Sequence, residues 1–396
     1  MKVLLLNYEF PPAGGGAGYA TKNIARCLRG MGIEAEVLTA RINGENDVED
    51  VDGVPVHRVA SWRHGLHDCG LRGAYTYVMA AALKRRKLHA QNRYDLEHFF
   101  FSLPTGLLSL LPGSRRPVPT VVSIRGSDVP GYDPFNRKVE IIHSLMKPVT
   151  RRIWKKAGKV VSLSEALAVI ARNTSPDIDF GVIPNGVDEV RFSPPEKREE
   201  APRFRLVTVA RLLERKGIQV IIEACAQPEI LPVEVTIVGT GPYEETLREQ
   251  ADAMSINDRV RFAGYVSNDD LPGLYRRMDA FILPSETESF GLVFTEAMSC
   301  ELPILASNVG GIPETVRHGV DGLLCPPGRP ELLRANIEAM IENRDARIGM
   351  GKSGRRRIFD HYTWHKVAQR YLDTYMSVLN PGSKPSRYND KVERAK

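Results

Sequence analysis

Residues 204–226 read FRLVTVARLLERKGIQVIIEACA. The first seven are apolar at most positions, the composition of a strand buried on both faces of a parallel sheet. A charged stretch follows, with Arg211, Arg215 and Lys216, and Gly217 closes it. IQVIIEACA then has the length and apolar content of a buried helix. Strand, short polar loop and helix in that order form the repeating unit of a doubly wound α/β sheet.

Moving outward, the unit recurs. Downstream come VEVTIVG (233–239), RVRFAGYV (259–266), AFILPS (280–285) and LPILAS (302–307), with helical stretches such as YEETLREQADAM between them. Upstream, KVLLLN (2–7) leads into ATKNIARCLRGMG, a helix closed by glycine, then EAEVLTA (34–40), VPTVVSIRG (118–126) and KVVSLS (159–164). Each half therefore predicts its own doubly wound sheet. Between them SPPEKREEAPR (193–203) has prolines, charges and no apolar period, which marks a linker. The expected domains are residues 1–195 and 196–362. WHKVAQRYLDTYMSVL predicts a terminal helix over 363–380, followed by a disordered tail at 381–396.

The 396 residues are too many for one core and suit two domains. Apolar residues at 42% and charged residues at 26% are ordinary for a soluble globular chain. The five cysteines are scattered with no Cys-x-x-Cys pair, which argues against disulfides or a zinc ribbon and suggests the cytosol. MKVLLLNYEFPP has an apolar run too short for a signal peptide. FFFSLPTGLLSLLPG (99–113) is broken by Pro104 and Gly106 and falls short of the roughly 20 residues a spanning helix needs. Residues 51–160 hold 19 Lys/Arg against 7 Asp/Glu, densest at KRRK (84–87) and RRIWKK (151–156), whereas 201–396 hold 26 of each. That basic excess is either a solvated helix face or a surface for an anionic acceptor or lipid. It lacks the aromatic interleaving and motifs of nucleic-acid binding.

The candidate site residues lie where strands run into loops. NYEFPPAGGGAGYATKNIA (7–25) places Gly14, Gly15, Gly16 and Gly18 ahead of a helix, where backbone N–H groups can approach a phosphate. A merely flexible loop is the alternative, and no acid follows EAEVLTARING to hold a nicotinamide ribose. Arg211 and Lys216, at a strand end beside a helix start, suit a diphosphate, or are ordinary surface charges. VGTGPYEETL (238–247) brings Gly239 and Gly241 to the same edge, and the following strand brings Tyr265 and Val266, either as donor contacts or as plain turns. In TESFGLVFTEAM (287–298), Glu288 precedes a short buried helix and Glu296 lies inside it; a helix cap and a helix-face residue are the plainer readings. Asp177-Ile-Asp179, beside Pro176, imitates a metal-binding pair but reads as a turn. His64, His67 and Cys69 read as a loop, with a metal cluster as the lesser alternative.

These features in their order resemble the retaining family-four glycosyltransferases of the GT-B fold. The resemblance rests on Glu288-x7-Glu296, Arg211-x4-Lys216, the glycines at 14–16, IPNGVD (183–188), VGTGP (238–242) and SNVGGIPE (307–314). It implies two Rossmann-like domains facing a cleft, the terminal helix crossing back to the first, a nucleotide-diphosphate-sugar bound by the second and an acceptor by the first. The acceptor would be a glycan, a lipid-linked sugar or a small molecule, with no cofactor and no metal. By position, Arg211 and Lys216 would hold the diphosphate, Glu288 the sugar hydroxyls and Glu296 the ribose. Gly15 and Gly16 would approach the phosphate, while Phe290, Gly291, Leu292, Val293, Gly239, Gly241, Tyr265 and Val266 would line the donor. One departure stands out: in VVSIRGSDVP the family commonly has histidine where this chain has Arg125, with Asp128 three residues on. Arg125 stays protonated and cannot be a base; it would hold a phosphate or anionic sugar, or pair with Asp128. The rivals are a nucleotide-sugar 2-epimerase on the same fold and a catalytically silent subunit of a glycan assembly complex. The expected place is the cytoplasm, with peripheral attachment to the inner face of the plasma membrane as its extension.

Overall fold

Val3, Leu4, Leu5 and Leu6 are fully buried, so KVLLLN forms a central strand covered on both faces. The computed structural model describes residues 1–42, 44–63, 65, 69–226 and 231–382. They form two units, Met1–Asn185 with the segment from Trp364 onward, and Gly186–Thr363.

In the first unit the strands are β1 (Lys2–Leu6), β2 (Glu34–Ala40), β3 (Val48–Val51), β4 (Val54–Val59), β5 (Leu96–Phe100), β6 (Thr120–Ser123), β7 (Lys159–Ser162) and β8 (Phe180–Val182). Their order is β3-β4-β2-β1-β5-β6-β7-β8, parallel except for the edge pair β3 and β4. The helices are α1 (Gly16–Gly30), α2 (Gly70–Gln91), α3 (Arg137–Lys156) and α4 (Glu165–Arg172). The order reverses between β1 and β5, the place where open α/β sheets leave a crevice. Inside α2, Arg85 forms a buried two-pronged ion pair with Glu97 of β5, at 2.5 and 2.6 Å.

The second unit has β9 (Phe204–Val209), β10 (Val233–Val238), β11 (Val260–Gly264), β12 (Ala280–Leu283), β13 (Ile304–Ser307) and β14 (Gly322–Cys325), all parallel, in the order β11-β10-β9-β12-β13-β14. Its helices are α5 (Ile218–Ala226), α6 (Glu244–Ala253), α7 (Leu271–Tyr275), α8 (Leu292–Ser299), α9 (Ile312–Thr315), α10 (Pro330–Glu342) and α11 (Arg344–Arg357). Leu206, Ile221, Val235, Ile237, Ile282, Leu305 and Ile337 meet in one core. This is the Rossmann strand order, with its reversal between β9 and β12.

The units divide at Asn185/Gly186, ten residues before the expected boundary. The proline-rich linker belongs to the second unit because it is pinned there. Arg198 donates to the Cys300 carbonyl at 2.9 Å, and the Ser299 hydroxyl donates to the Phe192 carbonyl at 2.5 Å. α12 (Trp364–Leu379) packs on α1 of the first unit, with Tyr371 and Tyr375 buried. The tail expectation falls, beyond Gly382, outside the described residues, as do His64 and His67. FFFSLPTGLLSLLPG holds the end of β5 and a short 3-10 helix, Thr105–Leu110. No helix among the described residues is long and apolar enough to cross a membrane. The sequence reading missed the β3–β4 hairpin, β5, β8 and β14.

Candidate active site

The strand reversal in the second unit brings together the loop after β9 and the loop after β12. Lys216 comes from the first and Glu288 from the second, and their Nζ and Oε2 atoms lie 2.7 Å apart, with both side chains partly open to solvent. Two further contacts join the loops. The Glu286 N–H donates to the Arg215 carbonyl at 2.8 Å. Gly217 has φ +70°, and a Cβ there would stand 2.1 Å from the Pro284 carbonyl oxygen, so only glycine lets the chain turn this close. Arg211 is exposed, with no side-chain partner among the described residues.

A third loop supports Glu288 from behind. The Gly311 N–H donates to the Glu288 carbonyl at 2.9 Å, and a Cβ on Gly310, at φ +53°, would fall 2.1 Å from that same oxygen. SNVGGIPE thus acts through the backbone of Glu288. Gly291, at φ +77°, opens α8 without a side-chain cap. The first N–H groups of that helix therefore lack intrahelical partners beside Glu288 and the Lys216 paired with it. Such a site can receive an anion, and the Glu288 carboxylate beside Lys216 can accept hydrogen bonds.

Glu296 is the fifth residue of α8. Tyr275, fully buried at the end of α7, donates its hydroxyl to Glu296 Oε2 at 3.2 Å. Burial pushes the Glu296 carboxyl up to about 7, against the opposing pull of the Tyr275 hydroxyl and the Arg191 charge. The folded chain therefore holds an extra proton between the ordinary value of 4.5 and about 7. The stability tied to that proton is present below 4.5 and is lost as the pH rises through about 7. Melting temperature measured across this window should fall in the native chain and flatten in Glu296→Gln. Tyr275→Phe, which removes the opposing hydrogen bond, should move the transition to higher pH. Parallel profiles for all three chains would remove Glu296 as the source. Sequence reading did not find Tyr275, because YRRMDAF carries no local mark of its partner 21 residues on.

The glycines after β10 have a packing role. A Cβ on Gly239, at φ +124°, would lie 1.9 Å from the Ala210 carbonyl oxygen, and one on Gly241 would lie 2.1 Å from that of Leu212. Leu212 N–H donates to Thr240 O at 3.0 Å, which continues the β9–β10 pairing into the loop that carries Arg211 and Lys216. Tyr265 is exposed, Val266 half-buried and Phe290 buried; Leu292 and Val293 are half-buried in the first turn of α8.

In the first unit, Gly15 and Gly16 are exposed where α1 begins, and a Cβ on Gly15 would meet no atom within 4 Å. The Gly15 N–H donates to Glu9 Oε2 at 3.3 Å, and the Tyr8 N–H donates to Thr105 Oγ1 at 3.2 Å, which ties this loop to the one after β5.

Arg125 and Asp128 are both buried in the first unit. Arg125 is buried: its Nη1 donates to Asn185 Oδ1 at 2.7 Å, and its guanidinium lies over the Phe100 ring, 4.7 Å from the centroid. Asp128 accepts the backbone N–H groups of Arg125 at 2.8 Å and Ser102 at 2.6 Å. A guanidinium removed from water must be bonded inside the fold; here it is held against the residue at which the first unit ends. Close by, His98 bonds Tyr375 of α12 and Ser123, both at 2.7 Å. Asp177 and Asp179 are each ion-paired, with Lys155 and Lys159. A separate cavity lined by Arg198, Arg203, Phe204, Asp279, Arg344 and Arg347 lies at the amino-terminal end of β9 and β12, the end of an open α/β sheet where ligands do not collect.

Comparison with known proteins matches residues 190–357 to the family described as glycosyl transferases group 1, and residues 15–186 to the glycosyl transferase 4-like domain. Among similar chains is a GDP-mannose-dependent alpha-(1-6)-phosphatidylinositol monomannoside mannosyltransferase of Mycobacterium tuberculosis, 27% identical over 94% of this chain and 97% of the relative. Another is a D-inositol 3-phosphate glycosyltransferase of Salinispora tropica, 28% identical over 91% and 80%. Among solved structures, sucrose-phosphate synthase from Thermosynechococcus elongatus is similar at a TM-score of 0.83, with 23% identity over 96% of this chain and 99% of the other. Anabaena HepE in complex with UDP and glucose is similar at 0.74, with 23% identity over 95% and 100%.

Proposed function

We propose, from the premise that this chain belongs to the group 1 glycosyltransferases and has the GT-B fold, that it moves a sugar with retention of configuration and without a metal. The donor is a nucleotide-diphosphate-sugar, and the acceptor is a glycan, a lipid-linked sugar or a small molecule. The observation that carries this reading is the Lys216–Glu288 pair at the strand reversal of the second unit. It supplies a cation for the leaving diphosphate and a carboxylate for sugar hydroxyls in one place. Arg211 adds a second positive charge at the same edge.

In this reading the bond from the sugar's anomeric carbon to the diphosphate breaks, and the electron pair goes to the phosphate oxygen. Lys216, Arg211 and the open N–H groups of α8 stabilise that charge; fixed dipoles of this kind need no reorganisation during the reaction. The acceptor hydroxyl attacks from the same face, and its proton passes to the departing phosphate oxygen. Two fixed cations take the part that a metal would otherwise play. The phosphatidylinositol mannoside in the mycobacterial relative's name supports a lipid-linked acceptor. Together with the basic first unit, it supports peripheral attachment of a cytoplasmic protein to an anionic membrane surface.

The test begins with thermal melts in the presence of UDP, GDP, ADP and their sugars. A base held at 100 times its dissociation constant should stabilise by about 2.7 kcal/mol. The donor so identified is then offered with acceptors, with and without a chelator, and the anomeric configuration of the product is read by NMR. Retention with unchanged rate under chelation is the expected result. Absence of stabilisation by every nucleotide, or an epimer formed without transfer, would overturn the reading.

A further inference from the structure

α2 carries apolar side chains on both sides. Its buried side holds Tyr77, Val78, Ala81 and Leu88 with the ion-paired Arg85. Its water-facing side presents Leu71, Tyr75, Met79 and Leu83, which are 70%, 68%, 50% and 60% exposed. A spacing of four residues keeps these side chains on one face. Trp62, 73% exposed, lies beside the start of the helix, where its backbone N–H donates to Thr76 Oγ1 at 3.0 Å. A helix on a globular surface ordinarily shows water its polar face, so three turns of apolar outer face require something to cover them.

The charges around this face identify the cover. α2 contains no acidic residue; Arg72 flanks the stripe at one end, and Arg86 and Lys87 at the other. Arg86 Nε donates to the Pro112 carbonyl at 2.9 Å and Lys156 Nζ to the Ser109 carbonyl at 2.5 Å. The basic end of α3, Arg151 to Lys156, thus borders the same loop as the basic end of α2. A second copy of the chain would bring like charges together, because residues 51–160 carry 19 Lys/Arg against 7 Asp/Glu. An apolar stripe with an exposed Trp and Tyr and a cationic rim has instead the make-up of a helix that lies in the plane of an anionic lipid interface.

We propose that the outer face of α2, Leu71, Tyr75, Met79 and Leu83 together with Trp62, docks on an anionic lipid surface, with Arg72, Arg86 and Lys87 meeting lipid phosphates. The inference specifies the surface for the peripheral attachment proposed above and does not depend on the transfer reaction.

Flotation of the full chain with vesicles of phosphatidylcholine alone, and of phosphatidylcholine with phosphatidylglycerol, tests it. The native chain should float with the anionic vesicles only. Met79→Gln with Leu83→Gln should weaken binding about tenfold or more at any salt concentration. Arg86→Gln with Lys87→Gln should weaken it about tenfold or more at low salt and far less at high salt. All these side chains are exposed, so melting temperature and nucleotide stabilisation should be unchanged; retained stabilisation with lost flotation separates docking from the donor site. If the apolar double variant melts early, Tyr75→Gln, one turn away, carries the test. The proposal is overturned if the native chain ignores anionic vesicles or if the apolar variants float like the native chain. Self-association abolished by those variants, without vesicle binding, would overturn it in favour of a second copy.

Discussion

Lys216→Ala should lower turnover by about 10²–10³, the scale of losing one preorganised stabiliser of developing charge. Two effects combine. The leaving diphosphate loses a cation, and Glu288, whose side chain is only 12% exposed and sits 2.7 Å from Lys216, loses its counter-charge. Residues that act as a unit are not additive, so Glu288→Ala combined with Lys216→Ala should be little slower than the worse single variant. Arg211→Ala should also lower turnover by about 10²–10³, but Arg211 is exposed, and its loss should leave the melting temperature alone. Steady-state rates of the four chains on the identified donor decide the matter. A tenfold effect or less at both cations would move the diphosphate elsewhere, and full activity in Glu288→Ala would remove the assigned carboxylate.

Gly239→Ala should be the most damaging single methyl group in the second unit. Its φ of +124° is a conformation that side chains rarely adopt, and the new Cβ would begin 1.9 Å from the Ala210 carbonyl oxygen. Backbone strain of this kind costs about 1–3 kcal/mol before any overlap is relieved. Relieving it means breaking the pairing that carries β9 and β10 into the site loops, so a total of about 3–5 kcal/mol is expected. Melting temperature should fall by roughly 10 °C. Gly15→Ala is the contrast: no atom lies within 4 Å of its Cβ position, so the fold should be unaffected and any effect should appear in the kinetics alone. Equal melting of Gly239→Ala and the native chain would show that the loop yields easily.

Much of the fold could be read from local composition. The long apolar runs at 2–7, 204–210 and 233–239 became central strands because most of their side chains are buried. The hairpin at 48–59 escaped because half-exposed edge strands carry mixed, polar sequence, as the exposed Val48 and half-buried Glu49 illustrate. The linker misled for a different reason. Its prolines and charges look unattached, yet Arg198 reaches the carbonyls of Cys300 and Glu301 more than a hundred residues away. Arg125 was located as unusual by comparison with a family pattern, but its burial against Phe100 and Asn185 is invisible in VVSIRGSDVP.

The sequence by itself determined the doubly wound class, the terminal helix and the segments that carry the charged loops, because burial on both faces of a strand and the turns between elements leave marks a few residues long. Only the tertiary structure decided that Lys216 meets Glu288 across 72 residues, that Tyr275 backs Glu296, and that Gly239 and Gly310 serve neighbouring backbone. Those contacts depend on the order in which strands sit in the sheet. That order is set by packing of the whole unit, and no single stretch of chain records it.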